Sequence, residues 1–386
     1  MPKKLKELLF VAAVSIIPTL LIWLPFFLRI RSFWSIPLPQ NGMATIVANY
    51  DGPLFMVVAK SFYASSIISH FQFVLPYEYY AAHFPLFPLL IRLFSYVLGY
   101  PYAMLAVTLI SSFLATYFFY LLAKEKLNGQ GALFLTLVFS LLPARWLIVK
   151  SVGSAEPLFI MAIIASLFYF DKKKFWLAAL FGIMAQLTKS PGILLFIAYF
   201  AYLFVPKLKY FFSTSFPNWF KSLSLEKIYP IFLIPLSLIG LFCLYKLQYN
   251  DFFAYFHSGD NLHLFFPPFK IFNYSAPWVG TFWLEEVIFV YLFGILGLIN
   301  LIKRGEKAMA YFVGIFFAST LLVAHRDIIR YSLPIFPFLL LAFSDTICKK
   351  EFRIVILVLA LPIYLFSLAY ISQNVMPIAD WSPFFN

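Results

Sequence analysis

The sequence predicts an all-α, polytopic integral membrane protein of about eleven transmembrane helices, and three observations carry that prediction. Of the 386 residues, 63% are apolar and only 12% charged. Soluble domains carry about 45–50% apolar and about 25% charged residues, so this chain has too few polar side chains to cover a soluble surface. Apolar runs of spanning length recur from end to end. The basic residues, finally, gather in alternate loops, as cytoplasmic lysine and arginine do.

A first span over 8–28 follows Met1-Pro-Lys-Lys-Leu-Lys-Glu, with Pro18 and Pro25 as expected kinks. No small-x-small cleavage site closes it, so it reads as a retained helix whose N-terminus is cytoplasmic. A large outer segment, about 29–101, comes next. Its apolar stretch Phe84–Gly99 reads as a membrane-skimming or re-entrant helix, because counting it as a span would turn Asp171-Lys-Lys-Lys outward. Further spans are expected at 102–123, 130–149, 157–170, 175–188, 191–206, 229–248, 284–302, 308–324, 331–346 and 354–372, with a second long outer loop at about 249–283. Proline and glycine inside such spans are tolerated where neighbouring helices satisfy the freed backbone groups. With no repeats and no low-complexity stretch, the expectation is one transmembrane domain over 1–386.

This alternation places 18 of the 29 Lys and Arg residues and seven of the 16 acids on the inner side. The net charge of +13 then divides into +11 inside and +2 outside, so the basic balance sets orientation and gives no sign of nucleic-acid binding. The two cysteines, Cys243 and Cys348, cannot build a disulfide framework or a Cys-rich metal site. His70, His83, His257, His263 and His325 lack paired ligand spacing. There is no P-loop, no Gly-rich dinucleotide turn and no Gly-x-Ser-x-Gly elbow, so no cofactor and no transition-metal site is expected, with a divalent metal left open.

Arginine and lysine sort to opposite sides. Sixteen of 21 lysines are inner, whereas six of eight arginines (Arg29, Arg31, Arg92, Arg145, Arg326 and Arg330) are outer. The positive-inside bias does not ask for this. A guanidinium offers a planar bidentate fork suited to phosphate, which points to an outer anionic ligand, most simply a lipid phosphate.

Ionisable groups at membrane depth are functional candidates because they are costly to place there. Three clusters qualify. In Asn49-Tyr50-Asp51-Gly-Pro53, Asp51 either caps the following helix or serves as a general base at the membrane rim. In Ala155-Glu156-Pro157-Leu-Phe, Glu156 opens an apolar helix, where the helix dipole favours an acid. In His325-Arg326-Asp327-Ile-Ile-Arg330-Tyr331, the two arginines share a face if the segment is helical, and Asp327 can pair with either. Lys189, in Thr188-Lys189-Ser-Pro-Gly192, adds an outer cation at a tight bend.

Taken in order, these residues resemble the GT-C superfamily of polyprenyl- or dolichyl-phosphate-sugar-dependent glycosyltransferases, nearest the PIG-V-like (GPI mannosyltransferase II-like) mannosyltransferases. The motifs are Tyr50-Asp51-Gly, Phe84-Pro-Leu-Phe-Pro88-Leu-Leu-Ile-Arg92, Ala155-Glu156-Pro157-Leu-Phe, Thr188-Lys189-Ser-Pro-Gly192 and Arg330-Tyr331-Ser-Leu-Pro334. Tyr50, Pro157 and Lys189 stand where that family has Trp, Ser and Arg. The resemblance implies an inverting hexosyltransferase, with mannose as the sugar. Its donor is a polyprenyl-phosphate-linked sugar, its acceptor a glycan, lipid or protein hydroxyl on the non-cytoplasmic side, and membrane lipid its surroundings. Asp51 and Glu156 are then the catalytic acids, with either able to be the base. Arg330, Arg326 and Lys189 hold the donor phosphate, while Tyr50, His83, Arg92 and Tyr331 line the groove. A transporter or flippase of an anionic sugar-linked lipid would use similar outer arginines. Transporters, however, often show two related halves, and the sequence has no such symmetry.

Overall fold

A computed structural model describes residues 2–71, 73–208, 213, 228–273 and 284–385. Most of the expected inner loop 207–228 and residues 274–283 of the second outer loop lie outside the described residues. Among those described, the structure is almost wholly helical, and the only strands, Ser32–Phe33 and Ile36–Pro37, form a small hairpin after the first helix. Among the described residues, six helices are long and apolar enough to cross a membrane: Lys3–Phe27, Leu86–Lys126, Ser190–Lys207, Tyr229–Tyr249, Leu284–Lys303 and Lys350–Gln373. The chain is a membrane protein of helical type. Shorter apolar helices cover Gly52–Ser61, Gly129–Leu141, Phe175–Thr188, Lys307–Thr320 and Ile328–Ala342.

Several boundaries differ from expectation, each for a local reason. The stretch expected to skim the membrane and the span after it are one run, Leu86–Lys126, interrupted only at Gly99. There φ is 70° and ψ 159°, a conformation that glycine adopts without a Cβ penalty. The span expected over 130–149 is broken. Helix Gly129–Leu141, capped by Asn128 Oδ1 accepting from the Gly131 N–H at 2.8 Å, stops at extended Leu142. Leu142 precedes Pro143, whose ring disfavours the helical conformation in the residue before it. A six-residue helix, Ala144–Val149, then carries Arg145. The span expected over 308–324 ends at Thr320, and that over 331–346 divides into Ile328–Ser332, Leu333–Ile335, Phe336–Ala342 and Ser344–Ile347.

Residues 150–155 do not rise to the end of the first helix. Lys150, wholly buried, donates from Nζ to the Ser15 carbonyl at 3.2 Å, near the middle of Lys3–Phe27. Trp23 Nε1 donates to the Ser151 carbonyl at 2.6 Å. Ser154 exchanges two bonds with Thr108, accepting from and donating to its hydroxyl at 3.3 and 3.4 Å. Thr108 lies seven residues past Pro101, about 10 Å along its helix at 1.5 Å per residue. The break is thus sunk among helices, and backbone groups of Ser151 and Ser154 find partners there, as irregular chain at membrane depth requires.

The chain divides into two compact units. One comprises Met1–Met161, Phe242–Asn261 and Ser344–Asn386, the other Ala162–Leu241 and Leu262–Phe343. In the second unit, Phe175–Thr188 ends at extended Lys189, and the turn Ser190–Gly192 folds back on it. A Cβ on Gly192 would sit 2.4 Å from Gln186 Cα and 2.5 Å from its backbone N, so the bend requires glycine. Gly192→Ala is therefore expected to lower stability by about 1–3 kcal/mol, as overpacking does. Gly240→Ala, which meets open space inside a helix, is expected to raise it by about 0.5–1 kcal/mol. Thermal unfolding of both variants in detergent checks the pair; equal midpoints would refute the packing argument.

Candidate functional site

The first unit holds Tyr50, Asp51, His83, Arg92 and Glu156; the second holds Lys189, Arg326, Arg330 and Tyr331. Each is described within its own unit.

Asp51 occupies the N-cap position of Gly52–Ser61, a helix buried at nine of its ten positions. Its side chain makes no capping hydrogen bond, and only its carbonyl serves the helix, accepting from Phe55 N–H at 2.9 Å. The position of a cap is filled, but the carboxylate is not the capping group. Asp51 is half-buried. Helix entry is tight: a Cβ on Gly52 would meet the Val47 carbonyl oxygen at 2.6 Å.

The turn before Asp51 is fastened on both sides. Asn49, wholly buried, donates from Nδ2 to the Ile371 carbonyl at 2.8 Å and accepts from Asn374 Nδ2 at 3.1 Å. It also forms an isolated antiparallel bridge with Val375. Met376 N–H donates to the Ala48 carbonyl at 2.6 Å. Tyr50 takes a positive φ of 47°, uncommon for a residue with a Cβ. Its hydroxyl accepts from Arg145 Nη1 at 3.1 Å, and its ring lies 5.8 Å from that of Tyr370. The Arg145 guanidinium stands 3.9 Å from the Tyr370 ring centroid. Arg145 thus joins the Tyr50 turn of the candidate site, although sequence reasoning assigned it no role beyond a place among the outer arginines. Its only signal was that sorting.

His83 is buried against the first turn of the Asp51 helix, its ring edge-on to Phe55 at 4.9 Å, while its carbonyl accepts from the Tyr63 hydroxyl at 2.8 Å. Phe87 meets Phe55 at 5.0 Å, so the Phe84–Pro88 motif backs that same helix. Arg92, one turn further, is exposed.

Glu156 opens helix Glu156–Asp171 and is buried. Ser154 Oγ–H donates to its Oε2, and the Glu156 backbone N–H donates back to Ser154 Oγ at 3.3 Å. The Ser154 backbone is itself tied to the Thr108 hydroxyl, so the residue that holds the carboxylate is anchored to a neighbouring helix. An acid at this end of a helix is favoured by the exposed N–H groups of the first turn.

In the second unit, Arg326 and Arg330 do not share a helical face. The helix begins only at Ile328, leaving exposed Arg326 in the preceding turn and half-buried Arg330 inside. The cause lies in His325, whose Nδ1 accepts from Asp327 N–H at 3.0 Å and holds a turn where the helix would otherwise start. With Nδ1 an acceptor, the ring proton sits on Nε2. His325, His263 and Tyr331 form a ring cluster, with centroids 4.4 Å apart for the histidines and 5.1 and 5.7 Å from Tyr331. His263, sixty-two positions before His325, carried no signal in sequence. Lys189 is half-buried at its bend. Among the described residues, no group of three or more His, Cys, Asp or Glu is placed to hold a metal ion.

Arg145 over Tyr370 generates a test. A double-mutant cycle with Arg145→Met and Tyr370→Leu, read by thermal unfolding, is expected to show a coupling of about 0.5–2 kcal/mol. Additive losses would mean that the contact contributes nothing.

No protein family's sequence profile matches the chain, and no curated protein matches it. Among solved structures it is similar to the crystal structure of the Archaeoglobus fulgidus oligosaccharyltransferase in complex with Zn and sulfate, a GT-C fold, at a TM-score of 0.53 and 15% identity. The match covers 95% of this chain and 54% of that one, so this chain spans about half of its length. At that identity the likeness is one of fold.

Proposed function

We propose that this chain is an inverting, lipid-phosphate-sugar-dependent glycosyltransferase. It moves a hexose, with mannose favoured by the resemblance, from a polyprenyl- or dolichyl-phosphate donor to an acceptor hydroxyl on a glycan, lipid or protein. The N-terminus is cytoplasmic and the reaction faces the opposite side. The observation that carries this reading is the place of Asp51: a half-buried carboxylate at the head of a helix buried at nine of its ten positions. The fold, shared with an oligosaccharyltransferase over nearly the whole chain, supports it.

In the proposed reaction the acceptor hydroxyl attacks the anomeric carbon as Asp51 takes its proton. The bond from that carbon to the phosphate oxygen breaks, and its electron pair leaves with the polyprenyl phosphate. Arg330, Arg326 and Lys189 meet that charge, a role in which preorganised donors act most strongly out of water. One displacement inverts the anomeric centre. Glu156 orients the reacting hydroxyls or serves as the base in place of Asp51, and Tyr50, His83, Arg92 and Tyr331 line the groove.

Purified protein in nanodiscs, given polyprenyl-phosphate mannose and a panel of acceptors, tests the reading. Asp51→Asn is expected to lower turnover by about 100- to 10,000-fold, the usual worth of a general base. Arg330→Gln is expected to lower it by about 100- to 1,000-fold. Near-full turnover in Asp51→Asn together with loss in Glu156→Gln moves the base to Glu156. Absence of transfer by the unaltered protein from any polyprenyl-phosphate hexose refutes the function.

A further inference from the structure

We propose that Leu264–Phe272 is a re-entrant loop immersed in hydrocarbon, its exposed side chains packed against the acyl chains of the bilayer. The sequence reads Leu264-Phe-Phe-Pro-Pro-Phe-Lys-Ile-Phe272, with Lys270 the single charge. Phe266 is 86% exposed, Leu264 63% and Phe269 50%. In water this would be an apolar patch calling for a partner. Its depth names the partner.

Depth is fixed by contacts inside the second unit. The Phe269 ring lies 6.0 Å from that of Tyr291, which in turn lies 6.0 Å from Phe317. Tyr291 is seven residues into the 20-residue helix Leu284–Lys303, about 10 Å below the end that carries Glu285 and Glu286. That helix, about 30 Å long, matches the hydrocarbon thickness. The loop therefore runs alongside a span, level with its interior, rather than beyond its end. Phe269 N–H donates to the Leu321 carbonyl and Phe265 N–H to that of Leu322, both at 2.9 Å. Ala324 N–H donates to the His263 carbonyl at 2.9 Å, so the loop is stitched to the chain leaving helix Lys307–Thr320.

Composition fits that setting. Pro267 and Pro268 have no N–H, which removes two donors that hydrocarbon could not satisfy. Lys270 Nζ lies 4.7 Å from the Phe265 ring centroid, its charge held over an aromatic face on a stem long enough to snorkel. The same stitching brings His263 to His325 and Tyr331, so lipid contact on the loop and ring packing around the Arg330 segment are mechanically one piece.

The test is a depth measurement, which does not depend on the proposed chemistry. Nitroxides are placed at Phe266→Cys and, as a second site, Phe269→Cys, in a Cys243→Ser/Cys348→Ser background. The protein is held in phosphatidylcholine nanodiscs, and accessibility to oxygen and to a water-soluble nickel chelate is read by power saturation. Leu357→Cys, 76% exposed on Lys350–Gln373, gives the lipid standard and exposed Lys4→Cys the aqueous one. The expected oxygen-to-nickel ratio at both loop sites is several-fold above that at Lys4→Cys and close to that at Leu357→Cys. Nickel-dominated access would place the loop in water and overturn the proposal. Exclusion of both reagents would mean that protein, or a second copy of the chain, covers it, and would overturn it equally.

Discussion

In hydrocarbon a broken helix has to hand its freed backbone donors and acceptors to some other part of the protein, because no water is there to take them. Both units of this chain are built around that constraint. In the first, the chain leaves helical geometry on either side of the short helix Ala144–Val149, and polar groups of Lys150, Ser151 and Ser154 go to Ser15, Trp23 and Thr108 on neighbouring helices. In the second, residues 321–324 leave it after Thr320 and pair with 263–269. Irregular chain at this depth is expensive unless it lines something useful, and it is where the acid Glu156 and the ring cluster of His263, His325 and Tyr331 are found.

The same constraint explains how the two acids are held. Asp51 follows a residue in left-handed geometry, and that strained turn persists because Asn49, Tyr50 and Ala48 are each bonded to distant chain. Such strain survives only where surroundings over-determine it. Glu156 is fixed more locally, by the hydroxyl of a serine two residues before it whose backbone is tied to a neighbouring helix. One carboxylate is set by the C-terminal end of the chain, the other by a seam of serine and threonine.

Some of this was legible beforehand. Asp51-Gly-Pro as a helix start, Glu156-Pro as another, and the Lys189–Gly192 bend follow from rules that act within a few residues, and all three occur in the structure. The failures have equally local or equally distant causes. The unbroken span over 130–149 overlooked the reach of Pro143 onto Leu142. The shared arginine face assumed a helix that the His325 side chain delays. Arg145 against Tyr370, His263 against His325, and Asn49 against Ile371 join residues 225, 62 and 322 positions apart, and no periodicity encodes such pairs.

The sequence by itself determined the solvent. Its apolar content and scarcity of charge demand lipid, its helices follow because only self-satisfied backbone survives there, and short-range residue chemistry marks where those helices start and stop. Tertiary structure alone decided depth and partnership. Whether Glu156 opens a helix at the membrane rim or within a recess depends on Lys150 reaching Ser15, and whether Leu264–Phe272 stands outside the bilayer or inside it depends on Phe269 meeting Tyr291. A residue's hydropathy is its own property, but the level at which it sits is set by which distant side chains it packs against.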